Sequence, residues 1–229
     1  MGNYNDVLME RLADLGNGNY SFVDNERAAR RIVDRELTGW LQVAAKDVKL
    51  SLELDPAAVS RYRLIGYENR HLMAPDFAND RVDAGEVGAG QAVTALYELK
   101  LAAPTPRQLG VFRIRFEDPD GGSSRLVETS LTTDGLRPTF ERASPPMRLA
   151  ATVAAFAEKL RGSYWARAVR YDDLLDRIET LGPPLSERAE VIELRRAMVL
   201  ARGLDHRDDR FDADSPAATM GFDEVPILR

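Results

Sequence analysis

The side chains able to carry chemistry are few and scattered. Two histidines occur, His71 in a strand-to-loop run and His206 among the charges near the C-terminal end, and neither has a sequence neighbour placed to make it a general base or a metal ligand. Cysteine is absent, which excludes disulfides, thiolate-bound metals and thiol nucleophiles. No G-x-S-x-G, H-E-x-x-H or G-x-x-x-x-G-K motif is present. The acidic loop Asp76, Asn79, Asp80, Asp83, Glu86 is the best metal candidate, because hard cations such as calcium take several loop oxygens. It lacks the D-x-D-x-D-G register of an EF-hand, and Asp and Asn also populate ordinary turns, which is the preferred reading. The glycines from Gly85 to Gly90 precede a strand instead of opening a helix, so they read as a bend or bulge and not as a dinucleotide fingerprint. Arginine far outnumbers lysine, but the arginines are spread through every segment and mark no single anion site.

Composition narrows the classes further. With 229 residues the chain is long enough for one large or two small domains with a real core. A net charge of −6 lacks the global attraction for phosphate that nucleic-acid binding requires. No apolar run reaches the roughly 18 residues needed to cross a bilayer. The first twenty residues carry acidic groups and asparagine where a signal peptide has an apolar stretch.

The elements that must position these residues change character along the chain. From Asn5 to Gly16 the pattern predicts a helix, capped by Asn5, with Leu8, Leu12 and Leu15 on one face and Gly16 as a left-handed stop. Tyr20 to Val23 is a short strand candidate. Asp24 then caps a second helix with Ala28, Ala29, Ile32, Val33 and Leu37 on its apolar face, ending near Gly39. One short strand cannot bury two such faces, so residues 1–39 read as the tail of a larger domain.

From Trp40 the period becomes two. Val48, Leu50, Leu52 and Leu54 alternate with Lys49, Ser51 and Glu53, which predicts a strand with its apolar residues on one covered face, broken by Asp55-Pro56. Further strands are predicted at Tyr62 to Tyr67, Ala92 to Leu101, Leu109 to Phe116 and Arg125 to Thr132, with Phe112, Ile114 and Phe116 in the core and a turn at Asp118 to Gly122. Strands joined by turns without intervening helices favour a mainly antiparallel β-sandwich over 40–142. Past Arg142 the pattern is helical. Ser144-Pro145-Pro146 starts a helix carrying Leu149, Val153, Phe156 and Leu160 to Gly162; Asp172 or Asp173 opens one carrying Leu174, Leu175 and Ile178; Ser186 opens another carrying Val191, Leu194, Met198 and Ala201 to Gly203. Residues 205–229 form an acidic tail.

Two runs are less generic. Gly2-Asn3-Tyr4-Asn5-Asp6 and Leu12 through Asp24 resemble the last helix–strand–helix of a von Willebrand factor type A (VWA) domain. Ala45-Lys46-Asp47-Val48-Lys49, Tyr62 through Arg70, Asp83 through Glu98, and Phe156-Ala157-Glu158-Lys159-Leu160-Arg161-Gly162-Ser163 resemble the domain of uncharacterised function that follows VWA domains in a bacterial envelope-protein family. The resemblance implies a partner-binding role and a cell-envelope location for a longer parent. VWA domains bind metal through a D-x-S-x-S loop. No such loop occurs here, so no metal residue and no cofactor is carried over.

Together these readings give an α+β chain: residues 1–39 a VWA remnant, 40–204 the attached domain with a sandwich at 40–142 and helices at 144–203, and 205–229 a tail. The expected function is a non-catalytic protein-interaction module, against two alternatives: a calcium-dependent binding module or enzyme using residues 76–86, and a structural spacer. Tyr67, Glu68, Asn69, Arg70, Asp83 and Glu86 are the candidate binding residues. Their blocks are expected to lie together and to satisfy loop backbone where strands enter the sheet. The expected partner is a protein, with no nucleic acid and no membrane span. Residues 1–39, with their apolar helix faces, are expected to pack on the C-terminal helices or to drive self-association.

Overall fold

The computed structural model describes residues 5–16, 20–21, 23, 25–36, 42–66, 77–79 and 84–206. The chain is α+β, and its elements divide between two compact units. The first unit holds helices α1 (Asp6–Leu15) and α2 (Glu26–Arg31) with the four strands β1 (Val43–Leu54), β3 (Gly85–Gly88), β5 (Gln108–Glu117) and β6 (Arg125–Thr132). The second holds the bodies of β2 (Val59–Ile65) and β4 (Leu96–Leu101) with helices α3 (Pro145–Arg161), α4 (Tyr171–Glu179) and α5 (Ala189–Leu204).

In the first unit the strands run in the order β3-β1-β5-β6, every neighbour antiparallel. Leu50 lies opposite Ile114 and Ile114 opposite Val127; Leu52 lies opposite Phe112 and Phe112 opposite Thr129. Since cross-strand partners share a face, Leu50, Leu52, Phe112, Ile114 and Val127 form one side of the sheet. Glu53, Ser51, Arg113, Arg115 and Glu128 line the other. The period-two pattern is therefore right, but the covered side is not simply the apolar one. Lys49, on the polar side, is 2% exposed, while Leu50 is 37% exposed. Phe112, Ile114 and Phe116 are half-buried and not core residues, and so are Arg113 and Arg115. A sandwich needs two sheets sharing one core; here β2 and β4 group with the helices, and the four-stranded sheet is alone in its unit among the described residues.

Turn chemistry follows the residue types. Asp55 ends β1, its Oδ1 accepting the Ala57 N–H at 2.8 Å. Gly121 donates to the Asp118 carbonyl at 2.9 Å in the turn between β5 and β6. Asn5 caps α1 by accepting the Leu8 N–H at 3.1 Å. Gly16 closes α1 through the Leu12 and Ala13 carbonyls without entering the left-handed region expected of it.

Some expectations shift. Tyr20, Ser21 and Val23 form no strand, and Asp24 and Leu37 lie outside the described residues. The second helix is one α turn and a half followed by a π turn at Ile32–Glu36. Ile32 is buried, whereas Leu8, Leu12 and Val33 are exposed, so these apolar groups find little cover within the chain. β2 begins at Val59 and ends before Gly66, and β4 starts only at Leu96, leaving 92–95 out of the strand.

The helical core of the second unit is made by Phe156, Tyr171, Leu174, Leu175, Ile178, Leu181, Val191 and Met198. Ser144 caps α3 by accepting the Met147 N–H, and Gly162 ends it at φ 70°. The buried stripe of α3 is Arg148, Thr152 and Phe156; Val153 and Leu160 are exposed. Leu149 packs against the helical core, and Glu158 is also buried, held by its ion pairs. Arg170, not an aspartate, occupies the cap position of α4, with Asp172 and Asp173 in its first turn; α5 begins at Ala189, after a short turn containing Ser186, and runs through Gly203.

One glycine is sterically required. A Cβ at Gly110 would lie 2.2 Å from the Glu53 carbonyl oxygen and 2.9 Å from the Leu54 Cα, where β5 crosses β1. Backbone on backbone cannot yield. Gly110→Ala is expected to cost about 3 kcal/mol of unfolding free energy in urea titrations. Gly85→Ala, where nothing lies within 4 Å, is expected to change stability by no more than about 0.5 kcal/mol. Equal stabilities for the two variants would contradict the close strand approach.

Candidate functional site

Of the residues singled out from the sequence, Tyr67, Glu68, Asn69, Arg70 and Asp83 lie outside the described residues, as do His71, Asp76 and Asp80. Glu86 is exposed on β3, and His206 is exposed after α5. Among the described residues no three His, Asp or Glu side chains are grouped to hold a metal ion. The Gly85–Gly88 strand turns back at Ala89-Gly90, where the Gly88 N–H donates to Gln91 Oε1 at 2.8 Å and the Gln91 N–H returns to the Gly88 carbonyl at 3.0 Å. Gln91 thus closes a turn at the end of a strand; of the bend expected over Gly85 to Gly90, Gly85–Gly88 is strand and only Ala89-Gly90 turns.

Two charge clusters that pattern reading passed over do most of the positioning. The first lies on β1. Lys46 Nζ donates to the Pro119 carbonyl at 2.9 Å, Asp47 Oδ1 accepts the Ala84 N–H at 3.0 Å, and Lys49 Nζ donates to the Asn79 carbonyl at 2.6 Å. Two connections, the one leading into β3 and the β5–β6 turn, are thereby tied to one strand. Asp47 adopts φ 49°, a left-handed conformation that Asp tolerates better than most residues, and the β1–β5 register shifts between Lys46 and Lys49. That irregularity lies in the stretch from which Lys46, Asp47 and Lys49 reach these two connections. Burying an ammonium without a hydrogen-bonding partner would be costly, and the short contact from Lys49 answers that cost in part. The sequence signal was available: only four lysines occur among 31 basic residues, and two of them are here.

The second cluster centres on Glu158, buried in α3. Its Oε2 accepts from Arg63 Nη1 at 3.0 Å and from Ser163 Oγ at 3.1 Å; its Oε1 accepts from Arg161 Nη2 at 2.6 Å. Arg63, on β2, also holds Glu98 of β4 at 2.6 Å and lies 4.5 Å above the Trp165 ring. The helix end supplies the geometry. Gly162 in the left-handed conformation lets the Ser163 N–H reach the Glu158 carbonyl at 2.9 Å, so backbone and side chain of Glu158 bind the same turn. On the adjoining strands burial raises the Tyr97 phenol above its ordinary range, with the nearby Tyr62 adding to it.

The remaining charged contacts are also internal. Arg113 bridges Glu53 and Glu128 at 2.5 Å each, and the hydrogen bonds it donates to both hold its guanidinium more firmly charged than usual. Tyr171 donates to Asp205 Oδ2 at 2.6 Å, joining the start of α4 to the end of α5. Glu141 is held below the usual carboxylate range, first by the Thr139 hydroxyl, and also by the charges of Arg148 and Arg177. In each case a carboxylate whose oxygens could take a ligand already accepts from its own chain.

The Glu158 cluster has a measurable weight. Removing one member of a buried pair strands the other, so Glu158→Ala is expected to lower unfolding free energy by about 3 kcal/mol. Glu98→Ala removes a surface partner and is expected to cost about 0.5 kcal/mol. Chemical denaturation of both variants checks this, and equal effects would remove Glu158 from its central place.

Comparison with known proteins places these features in a family. The family described as "Uncharacterized protein YfbK, C-terminal" matches residues 39–199, a span that contains both charge clusters. The "Uncharacterized protein YfbK" of Escherichia coli (strain K12) is 38% identical over 223 residues, an alignment that covers 84% of this chain and 36% of that protein. The chain spans about a third of the length of this curated relative. No solved structure matches it. The chain therefore belongs to the family of the YfbK C-terminal domain.

Proposed function

We propose that this chain is a non-catalytic protein-interaction module, the C-terminal part of a longer, VWA-containing bacterial envelope protein, with residues 1–39 the tail of its VWA domain. The observation that carries the reading is the outer side of α5. At 100° per residue, Ile192, Arg196, Val199, Leu200 and Leu204 fall opposite the core-facing Val191, Leu194, Met198 and Ala201. Leu200 is 66% and Leu204 77% exposed, on a helix whose other side is locked into the three-helix core. An apolar patch with an arginine at its centre fits a protein surface that presents apolar groups around a carboxylate. The share of the E. coli relative that this chain covers supports its being one module of a larger protein. The exposed Leu8, Met9 and Leu12 of α1 support the same view, since a helix with that stripe belongs against a sheet.

The test is capture from a bacterial envelope extract by the chain and by Leu200→Asp/Leu204→Asp. Both positions are exposed, so the double variant is expected to keep its far-ultraviolet spectrum and melting temperature. The reading expects a defined protein retained by the parent and lost by the variant. Identical capture by both, or none by either, contradicts it.

The proposal includes no cofactor. Melting with and without millimolar calcium is expected to coincide, whereas a ligand at a hundred times its dissociation constant would add about 2.7 kcal/mol of stability. A calcium-dependent rise of several degrees would move the function to the acidic segment 76–86.

A further inference from the structure

The two edges of the four-stranded sheet are unlike. On one side β3 is four residues long, its register with β1 shifts twice, and it ends in a glycine turn, all of which blunt an edge against further pairing. On the other side β6 is eight residues long and contains no proline. It keeps an unbroken register with β5 from Arg125 to Leu131, and every residue from Arg125 to Ser130 is exposed, on both faces of the sheet. Its two charges do not guard it. Glu128 is turned onto Arg113 of β5 and Arg125 is paired with Asp118, so both are answered within their own sheet.

We propose that β6 pairs antiparallel with β6 of a second copy, about a two-fold axis through Thr129, and joins two four-stranded sheets into one of eight strands. Pleating allows only registers in which facing residues share a side of the sheet, and the Thr129 register is favoured among them. Thr129 meets its own copy, Glu128 meets Ser130, Val127 meets Leu131, and Leu126 meets Thr132. Seven residues pair and no like charges face each other. The register centred on Glu128 would set two carboxylates opposite, and the one centred on Val127 pairs only five residues of the strand. Pairing about Thr129 also covers Leu126 and Val127, 50% and 48% exposed, and extends the apolar side formed by Leu50, Ile114 and Phe112 across the junction. Edge pairing of this length belongs to the small interfaces below roughly 1,200 Å², so the dimer is weak and concentration-dependent. The inference does not rest on the interaction-module reading above.

Sedimentation of the full chain over a wide concentration range is the first test. The parent is expected to pass from monomer to dimer, and Thr129→Lys, which sets two ammonium groups face to face, to remain monomeric with an unchanged far-ultraviolet spectrum. A parent that stays monomeric throughout, or a Thr129→Lys variant that dimerises equally, overturns the proposal. Because the chain has no cysteine, single-cysteine variants read the register directly. Thr129→Cys is expected to oxidise to a covalent dimer, and Leu126→Cys, whose two copies would lie about 20 Å apart along the strands, is not. Equal cross-linking at both positions, or none at Thr129, also overturns it.

Discussion

The second unit depends on one buried carboxylate. Glu158 sits in the last turn of α3 and binds Arg63 from β2, Arg161 from its own helix and Ser163 from the turn beyond. A helix held on a strand pair by apolar contact alone can slide or rotate. A carboxylate with three donors from three places admits one position. Around it, Gly162 takes the left-handed conformation that brings the Ser163 N–H to the Glu158 carbonyl, and Arg63 also reaches Glu98 and the Trp165 ring.

The first unit solves a related problem with β1. A single sheet with half-buried residues on both sides has no deep core to fix its loops, so polar groups of the strand do it. Lys46 takes a backbone group from the β5–β6 turn, and Asp47 and Lys49 each take one from the connection leading into β3. In both units the residues that pattern reading assigns to solvent do the positioning, and exposed apolar side chains remain on α1, α5 and β6.

Much of this was legible in the sequence. Local signals served well where local chemistry decides: the Asn5 and Ser144 caps, the Asp55 and Asp118–Gly121 turns, Gly162 as a helix stop, and the core faces of α4 and α5. The strand Arg125–Thr132 has the bounds expected of it. What escaped depends on contacts distant in the chain. Periodicity correctly put Lys49 opposite Leu50, but could not say that a loop some thirty residues away covers the lysine. The hydrophobic pattern assigns the α3 stripe to Leu149, Val153, Phe156 and Leu160; Leu149 and Phe156 do pack in the core, Val153 and Leu160 are exposed, and the pattern alone does not reach the ion pair of Glu158 with Arg63, 95 residues away. The runs that carry the family resemblance contain these same residues, although the resemblance assigned them no role. Of the candidate site, only Glu86 falls among the described residues.

In the second unit the Arg63–Glu158 pair fixes the fold, its charged groups satisfied within the chain. A double-mutant cycle between Arg63 and Glu158, measured by urea denaturation of the parent, Arg63→Ala, Glu158→Ala and the double variant, tests it most directly. The account expects a favourable coupling of about 1–3 kcal/mol, with the double variant less destabilised than the sum of the single ones. Additive effects, within about 0.3 kcal/mol, would contradict it and return these residues to the list of groups free to bind a ligand.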